Sequence, residues 1–141
     1  MKNLEVVFDK SISIESNKVS FDNKKQIVFV GRSNVGKSSL MNALFQKKDL
    51  VKTSSLPGKT KLANIFKVNN KYDFVDLPGY WFAKLGIISR DKIDALISWY
   101  TEARSMYLKR AIMIIDSKLI DYHLSLSSIL WKANLGVPSA T

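Results

Sequence analysis

The 141-residue chain has the length of one domain and an ordinary globular composition, with 46% hydrophobic and 24% charged residues. It has no cysteine, which excludes disulfides, zinc–thiolate sites, iron–sulfur clusters and a catalytic thiol. Its 22 Lys and Arg against 12 Asp and Glu give a net charge of +10, which favours a polyanionic partner such as nucleic acid, a ribosome or anionic lipid.

The first part of the chain predicts strands on either side of a glycine-containing loop. Short alternating stretches at Leu4–Phe8 and Ser11–Ser16 are typical of an N-terminal strand or extended arm, which we assign to residues 1–24. Ile27–Val30 is an apolar, largely β-branched run without alternation, as in a strand buried on both faces of a parallel sheet. After the loop, Ser38–Gln46 predicts a helix.

The middle of the chain predicts a β-hairpin between two loops. Asp49–Lys59 is polar and contains a Pro-Gly pair, so it predicts the first loop. Lys61–Val68 and Tyr72–Asp76 predict two strands joined by a tight turn at Asn69–Lys71. Leu77–Gly86 predicts the second loop.

The rest of the chain predicts a helix, a strand and another helix. Ser89 is the expected N-cap of a helix that runs to about Lys109. Ala111–Ile115 predicts a second apolar strand, and Asp121–Asn134 a last helix. Apolar strands that alternate with helices predict an α/β fold with three αβα layers around a mostly parallel sheet.

No part of this pattern predicts a membrane segment. The longest apolar runs are far shorter than the roughly 20 residues that a membrane-spanning helix needs. The first residues mix polar and apolar side chains, unlike a signal peptide. We therefore expect a cytoplasmic protein.

Gly31–Ser38 matches the phosphate-loop pattern G-x-x-x-x-G-K-[ST]. Small residues let successive backbone N–H groups surround a phosphate, and the helix that follows presents its positive N-terminus. Lys37 can reach the β- and γ-phosphates, and the Ser38 hydroxyl can ligate Mg²⁺. An apolar strand precedes the motif and a helix follows it, so we predict a phosphate site rather than an unliganded glycine-rich turn.

Two further segments extend this predicted site. Asp76 ends a predicted strand and begins the turn Asp-Leu-Pro-Gly, so it can hold Mg²⁺ through water while the Gly79 N–H contacts a γ-phosphate. Thr60 ends the first loop just before a strand, which suits a switch hydroxyl that ligates Mg²⁺. Together these features favour a nucleotide-dependent switch and hydrolase over a small-molecule kinase.

Four sequence blocks closely resemble the EngB (YihA/YsxC) family of bacterial GTPases. They are GRSNVGKSS at 31–39, PGKTKL at 57–62, DLPGY at 76–80 and FAK at 82–84. The resemblance implies a P-loop GTPase fold over residues 25–141, incomplete at its C-terminal side. It also implies GTP and Mg²⁺ binding, assistance to large ribosomal subunit assembly, and a link to cell division and septation. The basic charge agrees with an rRNA-facing role, and nothing indicates DNA specificity.

The resemblance also implies a set of residues that bind GTP or GDP. They are Gly31, Arg32, Ser33, Asn34, Val35, Gly36, Lys37, Ser38, Ser39, Gly58, Lys59, Thr60, Lys61, Leu62, Asp76, Leu77, Pro78 and Gly79. Of these, it implies Mg²⁺ on Ser38 and Thr60, with Asp76 in the outer shell of the ion. It implies catalytic roles for Lys37, Thr60 and Asn34, the last through K⁺ beside the phosphates. Tyr80 stands where Ras-like proteins use glutamine to orient water, so we expect slow intrinsic turnover.

The chain departs from the family pattern in two places. Trp81 replaces a glycine of the family's DLPGYGYAK block. The N/T-K-x-D motif that selects guanine in this class is absent after the last predicted strand. The letters N-K-Y-D do occur at residues 70–73, but we interpret them as part of the hairpin. We therefore expect a C-terminally truncated member of the family.

Two alternatives remain open at this point. One is a truncated, inactive fragment that does not bind nucleotide stably. The other is an ATP-using P-loop protein, which the placement of Thr60 and Asp76 disfavours.

Overall fold

The computed structural model describes residues 4–15, 19–52, 62–80 and 87–116. These residues contain strands β1 (Val6–Ile12), β2 (Lys25–Gly31), β3 (Ala63–Val68), β4 (Tyr72–Asp76) and β5 (Leu108–Ile114). They also contain helices α1 (Lys37–Phe45) and α2 (Ile87–Ala103). Within these ranges, neither helix is long and apolar enough to cross a bilayer.

The described strands form one mixed sheet in the order β1-β3-β4-β2-β5. β2 lies between β4 and β5 and is parallel to both, as its unalternating apolar sequence predicts. β3 is antiparallel to β1 and β4, so the predicted hairpin is present and β1 forms an edge of the sheet. Asn69 and Asn70 make the hairpin turn in the left-handed conformation, at φ of 51° and 49°.

Two apolar clusters, one on each face of the sheet, give the described residues the predicted three layers. The first cluster joins α1 to the sheet through Met41, Phe45, Phe29, Phe66 and Val68. The second joins α2 to the opposite face through Ile93, Leu96, Ile97, Tyr100, Val28, Val30, Ile65 and Val75. Successive β2 side chains alternate between these clusters because side chains in a strand point to opposite faces.

The predicted bounds of the second helix are wrong at both ends. α2 begins at Ile87, before the expected N-cap Ser89, and ends at Ala103 rather than near Lys109. The chain leaves the helix because the backbone N–H of Gln26 donates to the Tyr107 carbonyl (2.8 Å) and β5 already begins at Leu108. The helix thus ends before Tyr107, although Tyr107 continues the helical spacing of apolar side chains, because this part of the chain joins the sheet.

Several other predictions lie partly or wholly outside the described residues. They are the last helix at 121–134, residues 53–59 of the first loop and residues 81–86 of the second loop. By contrast, α1 agrees with its prediction to within one residue at each end. It stops at Phe45 because Gln46 adopts the left-handed conformation, with φ of 54°.

A buried polar cluster ties the end of α2 to the first residues of β2 and β4. Tyr100 donates a hydrogen bond to Oε1 of Gln26 (2.9 Å), and Nε2 of Gln26 donates to Oδ2 of Asp73 (3.3 Å). Burial raises the pKa of Asp73, and the Gln26 hydrogen bond opposes only part of that effect. Burial also raises the pKa of Tyr100, so its hydroxyl remains a donor at neutral pH.

The raised pKa of Asp73 predicts a pH-dependent loss of stability that Asp73→Asn removes. Folding favours the protonated acid, so the contribution of Asp73 to stability is fully present below its unfolded pKa of about 3.9. It is lost as the pH rises through the raised folded pKa. In urea titrations, the free energy of unfolding of Asp73→Asn relative to the parent should therefore increase from about pH 3 to about pH 7.

Asp22→Asn is the matched control for this pH series. A hydrogen bond from Lys67 lowers the pKa of the exposed Asp22 carboxyl. Its contribution to stability is therefore present above the unfolded pKa and lost as the pH falls, so the control difference should have the opposite slope. A pH-independent difference for Asp73→Asn would contradict the assignment of a buried acid.

Candidate phosphate-binding site

The phosphate loop runs from the end of β2 to the start of α1. Gly31 is the last residue of β2, and Lys37 is the first residue of α1. Between them, Asn34 and Gly36 take left-handed conformations at φ of 63° and 97°. Glycine suits position 36 because a side chain is strained at such an angle. The Gly36 carbonyl then accepts the first helical hydrogen bond, from the N–H of Leu40 (2.9 Å).

The turn that follows β4 lies directly against this loop. The N–H of Leu77 donates to the Phe29 carbonyl (3.1 Å), and the N–H of Tyr80 donates to the Gly31 carbonyl (3.2 Å). The N–H of Ser33 donates in turn to the Tyr80 carbonyl (3.0 Å). These bonds extend the parallel pairing of β2 and β4 past the strand ends and fix the predicted sensor turn beside the phosphate loop.

Lys37 and Asp76 meet at the centre of the site. The Lys37 ammonium donates a hydrogen bond to Oδ1 of Asp76, and both side chains are buried. Sheet register explains the meeting, because Asp76 pairs with Phe29 near the end of β2 while Lys37 begins the helix just beyond it. The two residues that the motifs assign to phosphate and to metal are therefore brought together, and each satisfies the charge of the other.

Gly79 lets the turn approach the loop closely. A Cβ at this position would lie 2.8 Å from Oγ of Ser33 and 3.0 Å from its Cα and N atoms. Ser33 Oγ donates to the Gly79 carbonyl (3.3 Å), so the contact is polar as well as close. A residue larger than glycine must push the turn away from the loop.

Gly79→Ala is therefore expected to lower the free energy of unfolding by about 1–3 kcal/mol, because an inserted methyl group meets backbone atoms in a packed contact. Urea unfolding monitored by fluorescence measures the change. Gly36→Ala is the control: its Cβ meets no atom within 4 Å, so it carries only backbone strain, about 1 kcal/mol. Unfolding of Gly79→Ala at the parent midpoint would disprove the close contact.

The other predicted phosphate-binding residues fall into three groups. Within the loop and the turn after β4, Pro78 is buried, Arg32, Val35 and Ser38 are partly buried, and Asn34 and Ser39 are exposed. Leu62, just before β3, is also partly buried. Gly58, Lys59, Thr60 and Lys61 lie outside the described residues, as does Trp81, so their predicted roles stay predictions.

The N-K-Y-D letters at residues 70–73 lie away from the phosphate loop. Asn70 is in the hairpin turn, and Asp73 is near the start of β4, whereas the phosphate loop adjoins the opposite end of that strand. Asp73 is buried and accepts a hydrogen bond from Gln26, so its carboxylate has a structural role. This placement agrees with the interpretation of the letters as part of the hairpin.

The oxygen atoms at the site fit Mg²⁺ bound together with a nucleotide. No cluster of three or more His, Cys, Asp or Glu side chains is present in residues 4–15, 19–52, 62–80 and 87–116. Mg²⁺ does not need one, because it commonly takes one or two protein oxygens and completes its shell with water and nucleotide phosphates. The Ser38 hydroxyl and the Asp76 carboxylate are hard oxygen donors of this kind.

Sequence reasoning missed the backbone contacts between Ser33 and Tyr80 and the ion pair of Lys37 with Asp76. Only the nearness of Lys37 and Asp76 had a signal in the sequence, since parallel strands place their ends at one edge of the sheet. The backbone contacts had no signal in the sequence, because carbonyl and N–H groups are the same at every residue.

A phosphate loop that follows a central parallel strand, beside an acidic turn on the neighbouring strand, defines the P-loop class of nucleotide-binding proteins. Residues 26–134 match the family described as 50S ribosome-binding GTPase, and the chain belongs to that family. The resemblance to EngB proteins is also confirmed, by curated relatives and by a solved structure.

Three comparisons define this similarity. The chain is 42% identical over 106 residues to the probable GTP-binding protein EngB of Clostridium beijerinckii, which covers 75% of this chain and 53% of that protein. It is 50% identical over 97 residues to the probable GTP-binding protein EngB of Clostridium acetobutylicum, and the match covers 69% of this chain and 48% of that protein. A crystal structure of a probable GTP-binding protein engB matches at a TM-score of 0.66 and 25% identity, over 78% of this chain and 66% of that chain. The chain thus spans about half the length of the curated relatives it matches.

Proposed function

We propose that the chain binds GTP and GDP at the phosphate loop, together with Mg²⁺, and hydrolyses GTP. The observation that carries this proposal is the placement of Lys37 and Asp76 against each other beside the loop, since one is suited to phosphate and the other to a hydrated metal ion. Membership of a GTPase family supports guanine as the base.

Binding exchanges the partners of the buried ion pair. The β- and γ-phosphate oxygens take the Lys37 ammonium, which releases Oδ1 of Asp76. Ser38 and Thr60 would ligate Mg²⁺ through their hydroxyls, with Asp76 holding it through water, and the ion would supply positive charge to the phosphates. Because each charged side chain passes from one partner to another, neither is left buried and unpaired.

The proposed reaction is in-line attack of water on the γ-phosphorus. The bond to the bridging oxygen breaks, and the products are GDP and inorganic phosphate. Lys37 and the loop N–H groups stabilise the negative charge on the transferred group, and Asn34 would help to hold K⁺ beside it. Tyr80 is buried and its backbone N–H and carbonyl bond to the loop. A tyrosine in this place is poorly suited to orient water, so we expect slow intrinsic turnover.

We also propose a cytoplasmic role in large ribosomal subunit assembly, linked to cell division and septation. The name of the matching family, 50S ribosome-binding GTPase, supports the ribosomal partner. The net charge of +10 supports it as well, because rRNA is a polyanion.

Thermal unfolding with GTP, GDP or ATP, each with Mg²⁺, tests the nucleotide proposal. A ligand that binds only the folded state raises the unfolding midpoint. GTP and GDP should raise it and ATP should not. Equal shifts with ATP would instead support an ATP-using protein, and no shift with any nucleotide would support an inactive fragment.

Two variants control the thermal series. Lys37→Ala should abolish the shift with GTP, since the ammonium that binds the phosphates is gone. Ser38→Ala keeps the buried ion pair and should lose only the part of the shift that depends on Mg²⁺. A full GTP shift in both variants would contradict binding at the phosphate loop.

A further inference from the structure

The starting ends of the three parallel strands carry a group of basic residues. Lys24 directly precedes β2 and Lys25 begins it, Lys71 directly precedes β4, and Lys109 and Arg110 are the second and third residues of β5. We call these five residues the basic edge. Lys25 pairs with Tyr72 and Gln26 pairs with Leu108, so the group lies at one level across adjacent strands.

The positive charge of the basic edge is largely unneutralised. Lys25, Lys71, Lys109 and Arg110 are exposed, and none of them forms an ion pair with a carboxylate among the described residues. Lys24 alone has an acidic partner, Asp22 at 3.5 Å. Asp22 is shared with Lys67, whose ammonium is closer at 2.9 Å.

Asp73, near the start of β4, is buried rather than exposed at the basic edge, although the charge of Lys24 acts on it. Asp73 lies two residues after Lys71, but it is buried and hydrogen-bonded to Gln26. Adjacent strands are only about 4.8 Å apart, so like charges at their ends repel. The repulsion is relieved when a polyanion binds across the strands.

The end of α1 adds to this positive surface. α1 packs on the sheet and returns from the phosphate loop toward the starting end of β2. Lys47 and Lys48, just after the helix, are exposed at its end. The positive charge therefore extends from the strand ends to one helical layer.

We propose that the basic edge is the docking surface for RNA phosphates, a proposal that rests on the ribosomal partner put forward under the proposed function. RNA fits because ammonium groups at several neighbouring strand ends match a chain of regularly spaced phosphates. An anionic membrane fits less well, since it also requires an apolar face to insert. The exposed large apolar side chains in the described part of this end form no single face, because Val7 on β1 and Met106 just before β5 lie at opposite edges of the sheet and Leu44 lies on α1.

Docking at the basic edge leaves the phosphate loop free. β2 begins at the edge and ends at the loop, and its seven residues span roughly 20 Å. RNA and nucleotide therefore bind at opposite ends of the same strand. The chain can hold both ligands at once.

A charge-matched pair of double variants tests the proposal on the full chain. Lys25→Gln/Lys109→Gln removes two unpaired cations of the basic edge. Lys10→Gln/Lys92→Gln removes two cations that have acidic partners elsewhere, at 3.4 Å from Asp9 and 3.9 Å from Glu15. Fluorescence anisotropy with a labelled RNA hairpin, measured over a range of salt concentrations, gives the affinity and its salt dependence.

The edge variant should lose on the order of tenfold in RNA affinity, and the slope of log K against log salt should fall by about 1.4 to 1.8, because two phosphate contacts are lost. The control should change affinity by less than about twofold. Equal losses in both variants, or no loss in either, would overturn the proposal. Binding of the chain to vesicles that contain anionic lipid, without binding to the RNA hairpin, would also overturn the proposal.

The nucleotide measurements separate this proposal from the proposed function. Both double variants should keep the parent unfolding midpoint and the full thermal shift with GTP, since neither change is near the phosphate loop. An edge-dependent loss of RNA binding in a chain that does not respond to GTP would support the docking surface and refute the nucleotide site. A GTP response without edge-dependent RNA binding would support the nucleotide site and refute the docking surface.

Discussion

Replacing Lys37 by alanine is expected to lower the free energy of unfolding by about 3–5 kcal/mol, because it leaves the Asp76 carboxylate buried without its partner. The size of this effect is unusual for a lysine. Most lysines in the described part of the chain are exposed, and their replacement costs little. Urea unfolding of the parent and of Lys37→Ala gives the difference directly.

A double-mutant cycle assigns this loss to the ion pair. Asp76→Ala should also destabilise the chain, whereas Lys37→Ala/Asp76→Ala should recover part of the loss because no buried charge remains unpaired. Lys92→Ala is the control, since that side chain is well exposed and pairs only at 3.9 Å. Single effects that add within about 0.5 kcal/mol would show that the two residues do not interact.

Phe45→Ala is expected to destabilise the chain by about 3–5 kcal/mol, the usual cost of deleting a buried aromatic ring. The Phe45 ring is 1% exposed and lies 5.5 Å from the ring of Phe66 and 5.6 Å from that of Phe74. It anchors the last turn of α1 to the sheet, and α1 carries Lys37 at its first turn. The variant should therefore weaken GTP binding as well as the fold.

Leu44→Ala is the matched control for this prediction. Leu44 precedes Phe45 on the same helix but is 43% exposed, so its loss should cost less than about 1 kcal/mol. Urea unfolding with GTP absent measures both variants on the same scale. Similar losses for the two substitutions would mean that Phe45 does not fill the core between α1 and the sheet.

The elements nearest the phosphate loop were predictable from sequence because local rules act on them strongly. The apolar run of β2 determines its burial between two helical layers, and the pattern at 31–38 determines the turn into α1. The hairpin was predictable for a similar reason, since Asn69 and Asn70 tolerate left-handed backbone angles. In each case the residue type and the required conformation agree.

The end of α2 and the ion pair of Lys37 with Asp76 were not predictable by such rules. Tyr107 keeps the apolar spacing of the helix, and only its pairing with Gln26 of a distant strand shows why the helix stops earlier. The ion pair of Lys37 with Asp76 depends on the register of β2 against β4, which no local pattern encodes. Tertiary contacts decide both outcomes.

Calorimetric titration of GTP into the parent chain, with Mg²⁺ and then with excess EDTA, tests most directly whether Lys37 and Asp76 form a nucleotide site. We predict one GTP bound per chain, with an affinity that falls when Mg²⁺ is removed, because the proposed ion that would join Ser38 and Asp76 to the phosphates is then absent. Absence of GTP binding under both conditions, in a chain that unfolds cooperatively, would contradict the assignment of residues 31–38 and 76–79 as a GTP site.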